Sequence, residues 1–383
     1  MKLLVVGGGL MGRAAAYDLV RQPDVEKVVI ADIDERRAAD AARFARSDRA
    51  VPLRLDARSG AEVTAALRGV KAALGAASYK LNLDLSRTAI ASGVHWCDMG
   101  GNNTVVEAQL RLDAEAKRAG VSVIPDTGLA PGMVSPLAMH GVRAMDEARS
   151  VHIRVGGLPQ RPKPPLNYSL VFSVEGLINE YVEPCVAIRD GKVVSDVEPL
   201  VDVEDIGFAP PLERLEAFNT SGGTSTLPRT LLGKVRDLDY KTIRYPGHAA
   251  IMRTLFELGL MSSEPAEFRG VRVAPRDVLE PLIAANIAFT EDDIVLVRVT
   301  VDGTKNGRRA RAIYEMVDHK DESTGLTAMM RGTAFPSAIV CLMMARGQTR
   351  PGATPQELAL DLDAFIAEVR KRGLPLETSF EVL

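Results

Sequence analysis

From its first residues the chain repeats one pattern, a short apolar run followed by a stretch with apolar positions at helical spacing. The apolar runs fall at 2–6, 25–32, 51–55, 70–75, 94–98 and 121–124, and the helical stretches between them at 10–21, 34–46, 60–68, 81–92 and 107–119. Runs that are apolar throughout, rather than alternating, read as strands buried on both faces. Their regular alternation with helices predicts a parallel sheet covered on both sides.

Beyond about residue 150 the pattern changes. Strand-like runs come in pairs separated by turn residues, as at Arg189-Asp190-Gly191-Lys192 and from Asp302-Gly303 through Asn306-Gly307. The strongest strand here is Asp293 to Val301, and helices are expected near 174–181, 248–259 and 275–287. The end of the chain is helical again, at 334–346 and at 355–371, where Leu358, Leu362, Phe365, Ile366 and Val369 share a face. The fold class is therefore α/β, a Rossmann-type doubly wound parallel sheet plus an α+β substrate domain with a largely antiparallel sheet. The divisions fall at 1–130, 131–332 and 333–383.

The 383 residues suffice for two cores. The net charge of −3, with no basic run, gives no reason to expect nucleic acid. The longest apolar stretch, about 335–345, is too short to span a bilayer. The opening residues read as strand and glycine turn rather than as a leader. Three scattered cysteines, Cys97, Cys185 and Cys341, fit a reducing cytoplasm, and five dispersed histidines with no paired ligand spacing make a metal site unexpected.

The chemistry begins at Gly7-Gly8-Gly9-Leu10-Met11-Gly12, between the first strand and the first helix. Gly7 permits the tight turn, Gly9 lets a pyrophosphate approach the backbone, and Gly12 lets the helix sit close to the strand, with its N-terminal amides facing the anion. Asp32 ends the second strand, twenty positions past Gly12, where a carboxylate binds the adenosine ribose and repels a 2′-phosphate. NAD is thus favoured over NADP, although Arg36 and Arg37 follow closely and could pair with such a phosphate. The cofactor-facing set is Gly7, Gly9, Leu10, Met11, Gly12, Asp32, Asp56, Ala76, Ala77, Ser78 and Asp126.

In a doubly wound sheet ligands lie beyond the carboxyl ends of the strands. Three loops there are chemically loaded: Ala76 to Lys80, Asp98 to Asn102, and Asp126 to Gly132. Tyr79 and Lys80 stand out because they are not turn residues. In the second half, Phe218 to Thr226 is dense in hydroxyls and glycines, and Lys241 to His248 places cations along a strand before a turn and a helix. Lys241, Ile243 and Tyr245 share one face of that strand, with Thr242 and Arg244 on the other. Arg244 is a candidate for a substrate carboxylate, which its planar fork matches in two hydrogen bonds.

In order and completeness these motifs resemble the saccharopine dehydrogenase family, most closely its L-lysine 6-dehydrogenases. The resemblance is carried by Gly9-Leu10-Met11-Gly12, Gly93-Val94-His95 through Gly101, Pro125-Asp126 through Met133, and Val155 through Pro159. Further signatures are Pro165-Leu166-Asn167-Tyr168 through Phe172 to Leu177, Thr220 to Thr226, and Tyr240 to His248. Two departures touch the substrate cavity: Ser78-Tyr79-Lys80, where an aromatic before the tyrosine and an uncharged residue after it are expected, and Asn219, where a relative has a histidine.

The resemblance implies NAD-dependent oxidative deamination at the ε-carbon of L-lysine. The product is a semialdehyde that cyclises to a piperideine carboxylate, with ammonia released. It also implies C-terminal helices that return to the dinucleotide domain, and a homodimer or higher homo-oligomer. Substrate-facing residues are Asn167, Tyr168, Asn219, Thr220, Ser221, Lys241 and Arg244. Hydride leaves a carbon whose nitrogen is uncharged, so at pH 7 deprotonating a lysine amine costs about 4.6 kcal/mol, which burial or a base must offset. Candidates for the base are Tyr79, Lys80, Asp98 and His248. A saccharopine dehydrogenase or related imine reductase is the nearest rival, and a non-catalytic NAD-binding regulator a remoter one.

Overall fold

A computed structural model describes residues 1–171 and 173–382; Phe172, in one of the family signatures, lies outside the described residues. The chain forms two compact units, residues 1–140 with 330–376 and residues 141–329 with 377–383.

The first unit opens with β1 (Lys2–Val6), α1 (Leu10–Leu19), β2 (Lys27–Asp32), α2 (Glu35–Phe44), β3 (Ala50–Arg54), α3 (Gly60–Ala66), β4 (Ala72–Gly75), α4 (Asn82–Ala91) and β5 (His95–Asp98). It continues through α5 (Asn103–Leu110), α6 (Asp113–Ala119), β6 (Ser122–Ile124) and α7 (Val134–Ala144). The strands match the apolar runs to within two residues. The stretch read as a single helix at 107–119 is two helices with Arg111 and Leu112 between them, and Leu112 is buried in the core. Buried Leu4, Val6, Val29, Leu85, Ile90 and Trp96 belong to one cluster of that core.

The second unit contains β7 (Glu147–Pro159), α8 (Val174–Val182), β8 (Cys185–Arg189), β9 (Lys192–Val197), β10 (Glu204–Ile206), β11 (Leu215–Asn219), α9 (Leu227–Leu231), β12 (Asp237–Arg244) and α10 (His248–Glu257). After them come β13 (Ala266–Phe268), β14 (Val271–Val273), α11 (Pro275–Asn286), β15 (Asp293–Lys305) and β16 (Arg308–His319). The chain ends with α12 (Ala328–Ala345), β17 (Gly352–Ala353), α13 (Gln356–Ala359), α14 (Leu362–Lys371) and β18 (Leu376–Val382). α12 is longer than the apolar stretch read from sequence. By length and composition it could cross a membrane, but most of it is buried inside the protein, as a core helix would be.

The first sheet has the order β17-β6-β5-β4-β1-β2-β3, and every pairing is parallel. Strand order reverses at β1, flanked by β4 and β2, and a ligand crevice opens at such a reversal. The second sheet runs β10-β11-β12-β7-β15-β16-β18, with β8 and β9 branching from β12. Only β12 and β7 pair in parallel among the printed registers; the others are antiparallel. Asn306-Gly307 turns β15 into β16 and Asp190-Gly191 turns β8 into β9, all four residues with positive φ, as tight hairpins require.

On one face of the second sheet, Phe218 packs with Leu177, Ile178 and Tyr181 of α8, Ala249 and Met252 of α10 and Ile283 of α11. On the other face, Ala217 and Ile243 pack with Leu158, Phe208 and Leu212. Because side chains alternate along a strand, β12 sends Tyr240, Thr242 and Arg244 under the helices and Asp239, Lys241 and Ile243 to the opposite side.

Candidate active site

At the head of β1 the backbone is shaped by two glycines. Gly7 has φ +112 and abuts the Ala76–Ala77 peptide at the end of β4, where any Cβ would overlap backbone. A Cβ on Gly12 would run into the Gly7 carbonyl, so α1 can approach β1 only with glycine there. A Cβ on Gly9 would meet nothing within 4 Å, leaving space in front of the first amides of α1 at Leu10 and Met11. A cramped turn below open space before a helix N-terminus fits a dinucleotide pyrophosphate.

Asp32 stands beside this turn. Its carboxylate accepts the Gly8 amide at 2.8 Å and the Asp34 amide at 2.9 Å, so it is fixed in orientation while remaining partly exposed. Asp34 caps α2 by accepting the Arg36 and Arg37 amides at 2.9 and 3.3 Å, and both arginine side chains reach solvent. Asp56 accepts two bonds from Arg58, at 2.9 and 2.8 Å. The Arg58 contacts hold its carboxyl down at about 2.

The loops after β4, β5 and β6 are knitted together. Gly100 lacks the side chain that would collide with the Asp126 carboxyl, and the Thr127 amide and hydroxyl donate to the Asp98 carbonyl at 2.8 and 2.9 Å. Asp126 takes a left-handed φ of 56, and its carbonyl accepts from Gln356 of α13 at 2.5 Å. The Tyr79 ring lies against Gly101, and the Lys80 ammonium sits 5.9 Å from the centre of that ring. Ala76 donates its amide to Val6, while Ala77, Ser78 and Lys80 are exposed.

Asp98 does not suit a proton acceptor for substrate. It is fully buried and accepts from Trp96 at 2.9 Å, Gln109 at 2.6 Å and the Gly100 amide at 2.9 Å. Burial raises its pKa against those donors. The residue anchors the loop that follows β5.

In the second unit Arg244 is 2% exposed and its guanidinium lies over the Tyr168 ring, 4.9 Å from the centre. Nε donates to the Tyr181 hydroxyl at 3.2 Å and Nη1 to the Ile243 carbonyl at 3.0 Å, while Nη2 stands 3.5 Å from Glu180. Burial works against the charge, but Tyr181, Tyr168 and Glu180 outweigh it, so the cation is permanent. Burial pushes the Glu180 carboxyl up to about 7, opposed by Arg244, although about a third of its side-chain surface (31%) stays open. Tyr168 is 2% exposed, and among the described residues its hydroxyl has no acceptor for its proton, the Val171 amide being the group that approaches its oxygen. Tyr240 joins the same face, and its ring occupies the space a side chain on Gly223 would need.

His248, a candidate base, is instead committed. Nδ1 bonds the Leu166 carbonyl at 3.0 Å, which fixes the proton there, and Nε2 faces the Tyr181 hydroxyl at 3.0 Å. Burial and then Arg244 push its pKa down to about 3, so it is neutral and orients Tyr181.

The remaining substrate candidates divide by face. Thr220 pairs with Thr242 at 2.7 Å and Ser221 donates to the Asn179 carbonyl at 3.2 Å, both on the Arg244 side. Asn167, with φ 49, follows Leu166. Lys241 and Asn219 do not join them. Lys241 donates to Glu204 at 2.7 Å and Asn219 to Asp202 at 2.9 Å, on the opposite face, where Arg154 bridges Asp239 and Glu204. Their register on adjacent strands pairs them with each other and turns both away from Arg244.

Glu180 and Tyr181 escaped the sequence reading, and Tyr240 entered it only as part of a family signature, not as a site residue. The two-residue alternation that isolates Thr242 and Arg244 extends back to Tyr240, whereas α8 carries two acids, Glu175 and Glu180, and nothing in its sequence singles out Glu180.

Residues 3–124 match the model of the saccharopine dehydrogenase NADP binding domain and residues 128–374 that of the saccharopine dehydrogenase C-terminal domain. A saccharopine dehydrogenase [NADP(+), L-glutamate-forming] from Pyricularia oryzae is 22% identical over 67% of this chain, which spans 59% of that relative's length. The mitochondrial alpha-aminoadipic semialdehyde synthase of Bos taurus is 25% identical over 69% of this chain and 29% of its own length. The apo saccharopine dehydrogenase (L-Glu forming) of Saccharomyces cerevisiae superposes over the whole of both chains with a TM-score of 0.80 at 17% identity, a likeness of fold. The chain is a member of the saccharopine dehydrogenase family of oxidoreductases.

Proposed function

We propose that this protein oxidises the ε-carbon of a lysine-type amino acid with a nicotinamide dinucleotide, and that L-lysine itself, with NAD, is the substrate. Asp32 supports NAD, because a 2′-phosphate would approach a carboxylate already held in place by two amides. When bound, the dinucleotide accepts the hydride. Residues of the first unit hold it through the glycine turn, with Tyr79 and Lys80 on the loop beyond β4.

The observation that carries the substrate reading is Arg244. Buried, permanently charged and lying over the Tyr168 ring, it offers one carboxylate a charged, water-poor seat. The opposite-face cations Lys241 and Arg154 already serve Glu204 and Asp239. One cation suits the single carboxylate of lysine. Saccharopine has the same lysine head but adds a glutamate portion, whose two carboxylates need further cations. The names of the relatives favour that second reading, in which glutamate rather than ammonia leaves.

The test is a spectrophotometric screen for reduced dinucleotide at alkaline pH, with NAD and NADP each offered L-lysine, saccharopine and polyamines. Turnover of lysine with ammonia release supports the first reading; turnover of saccharopine alone replaces it with the second. Dinucleotide binding without any turnover leaves a non-catalytic role. We further propose a homodimer or higher homo-oligomer, supported by the exposed apolar side chains of Phe268, Val271, Val278 and Leu282, which light scattering tests.

A further inference from the structure

We propose that Glu180 is a specificity-determining residue that receives the α-ammonium of the substrate beside Arg244, so that the pair recognises the zwitterionic head of an α-amino acid. The inference rests on Arg244 as the seat of the α-carboxylate.

The geometry is that of a clamp. Glu180 lies near the C-terminal end of α8 and Arg244 at the end of β12, and their charged atoms stand 3.5 Å apart. That is too long for a well-formed charged hydrogen bond, which closes to about 2.7–2.9 Å. Arg244 is buried, so its charge needs compensation; Glu180 keeps 31% of its side-chain surface open and can meet a ligand. Tyr181, Tyr168 and Tyr240 surround the pair with neutral groups, and His248 is uncharged. A second carboxylate, Glu216, stands across from Arg244 on β11 but is buried and taken by the Gly247 and Ala249 amides at 2.9 and 2.7 Å, which leaves Glu180 as the anion open to a ligand. An incoming carboxylate finds the guanidinium, but also a carboxylate next to it. A ligand with a carboxylate alone meets like-charge repulsion, whereas one that brings an ammonium on the adjacent carbon satisfies both partners. Selection then combines attraction with rejection.

Calorimetric titration of the full chain with saturating NAD tests this without turnover. The probes are L-norleucine, which has the amino-acid head but no ε-amine, and hexanoate, which has only the carboxylate. Norleucine should bind wild type at least about tenfold more tightly than hexanoate, and Glu180→Gln should bring that ratio close to one by weakening norleucine and strengthening hexanoate. A merely structural role would weaken both together, and thermal unfolding of the variant checks its fold. Glu180→Asp, which keeps the charge, should restore part of the preference. An unchanged norleucine-to-hexanoate ratio in Glu180→Gln, or no binding of norleucine to wild type, overturns the proposal. Discrimination by Glu180 in a protein that oxidises no lysine-type amine would uphold the clamp and remove the proposed reaction.

Discussion

Lys241 and Arg244 are cations on one strand, yet they lie on opposite faces of the sheet: Lys241 bonds Glu204 at 2.7 Å, and Arg244 bonds the Tyr181 hydroxyl at 3.2 Å beneath the helices. The two should therefore fail differently when truncated. Arg244→Ala removes a charged hydrogen-bonding partner worth about 1.5–3 kcal/mol, raising KM for a carboxylate-bearing amine by roughly 10- to 150-fold. Lys241→Ala should lower thermal stability, by about 1–3 kcal/mol, and leave KM near wild type. Steady-state kinetics and melting curves on the two variants check the contrast, and a large KM effect at Lys241 would contradict it.

Two ionisations shape the pH profile. The substrate amine must lose its proton, so kcat/KM should rise toward its free pKa of about 10.4. The Glu180 carboxyl is raised to about 7 by burial, so it gains charge as pH increases through neutrality. Binding of norleucine should then strengthen between about pH 6 and pH 8 in wild type and stay flat in Glu180→Gln. Arg244 stays charged throughout, and His248, Tyr168, Tyr181 and Tyr240 stay neutral. A binding curve equally steep in Glu180→Gln would assign the titration to another group.

His248 makes a prediction about stability. Its folded pKa, about 3, lies below the ordinary histidine value because burial and Arg244 disfavour the cation. The unfolded chain thus takes up a proton that the folded chain refuses, and stability is lost as pH falls below about 6.5, at up to about 1.4 kcal/mol per pH unit from this residue. Denaturant unfolding between about pH 6.5 and pH 4 should be less pH-dependent in His248→Asn than in wild type. Parallel slopes would mean that the imidazole titrates normally.

Asp32 carries the cofactor prediction. Asp32→Asn removes the charge and keeps an acceptor for one of the two amides, so affinity for NADPH relative to NADH should rise by about tenfold or more. If the ratio does not move, discrimination lies elsewhere, with exposed Arg36 and Arg37 the next residues to change.

The parallel sheet was legible because six of its strands fall in short, mostly apolar runs alternating with helical stretches, and because Gly7, Gly9, Gly12 and Asp32 occupy fixed distances after the first two. β17 was not, since Gly352 and Ala353 are a strand only through their pairing with Ser122 and Val123. Alternation placed Lys241 and Arg244 on different faces, but nothing in the strand itself says which face the helices cover. The same limit explains Asp98 and His248. An acid and an imidazole read as reactive until Trp96 and Gln109, or Leu166 and Tyr181, are seen to occupy them. Glu180 reads as a solvated helix position until Arg244 arrives beside it from 64 residues away.

The central claim concerns which carbon gives up its hydride. Incubating the protein and oxidised dinucleotide with L-lysine deuterated at the ε-carbon, and separately at the α-carbon, answers it by mass spectrometry of the reduced dinucleotide. The account predicts deuterium in the dinucleotide from the ε-labelled substrate and none from the α-labelled one. Transfer from the α-carbon would contradict it.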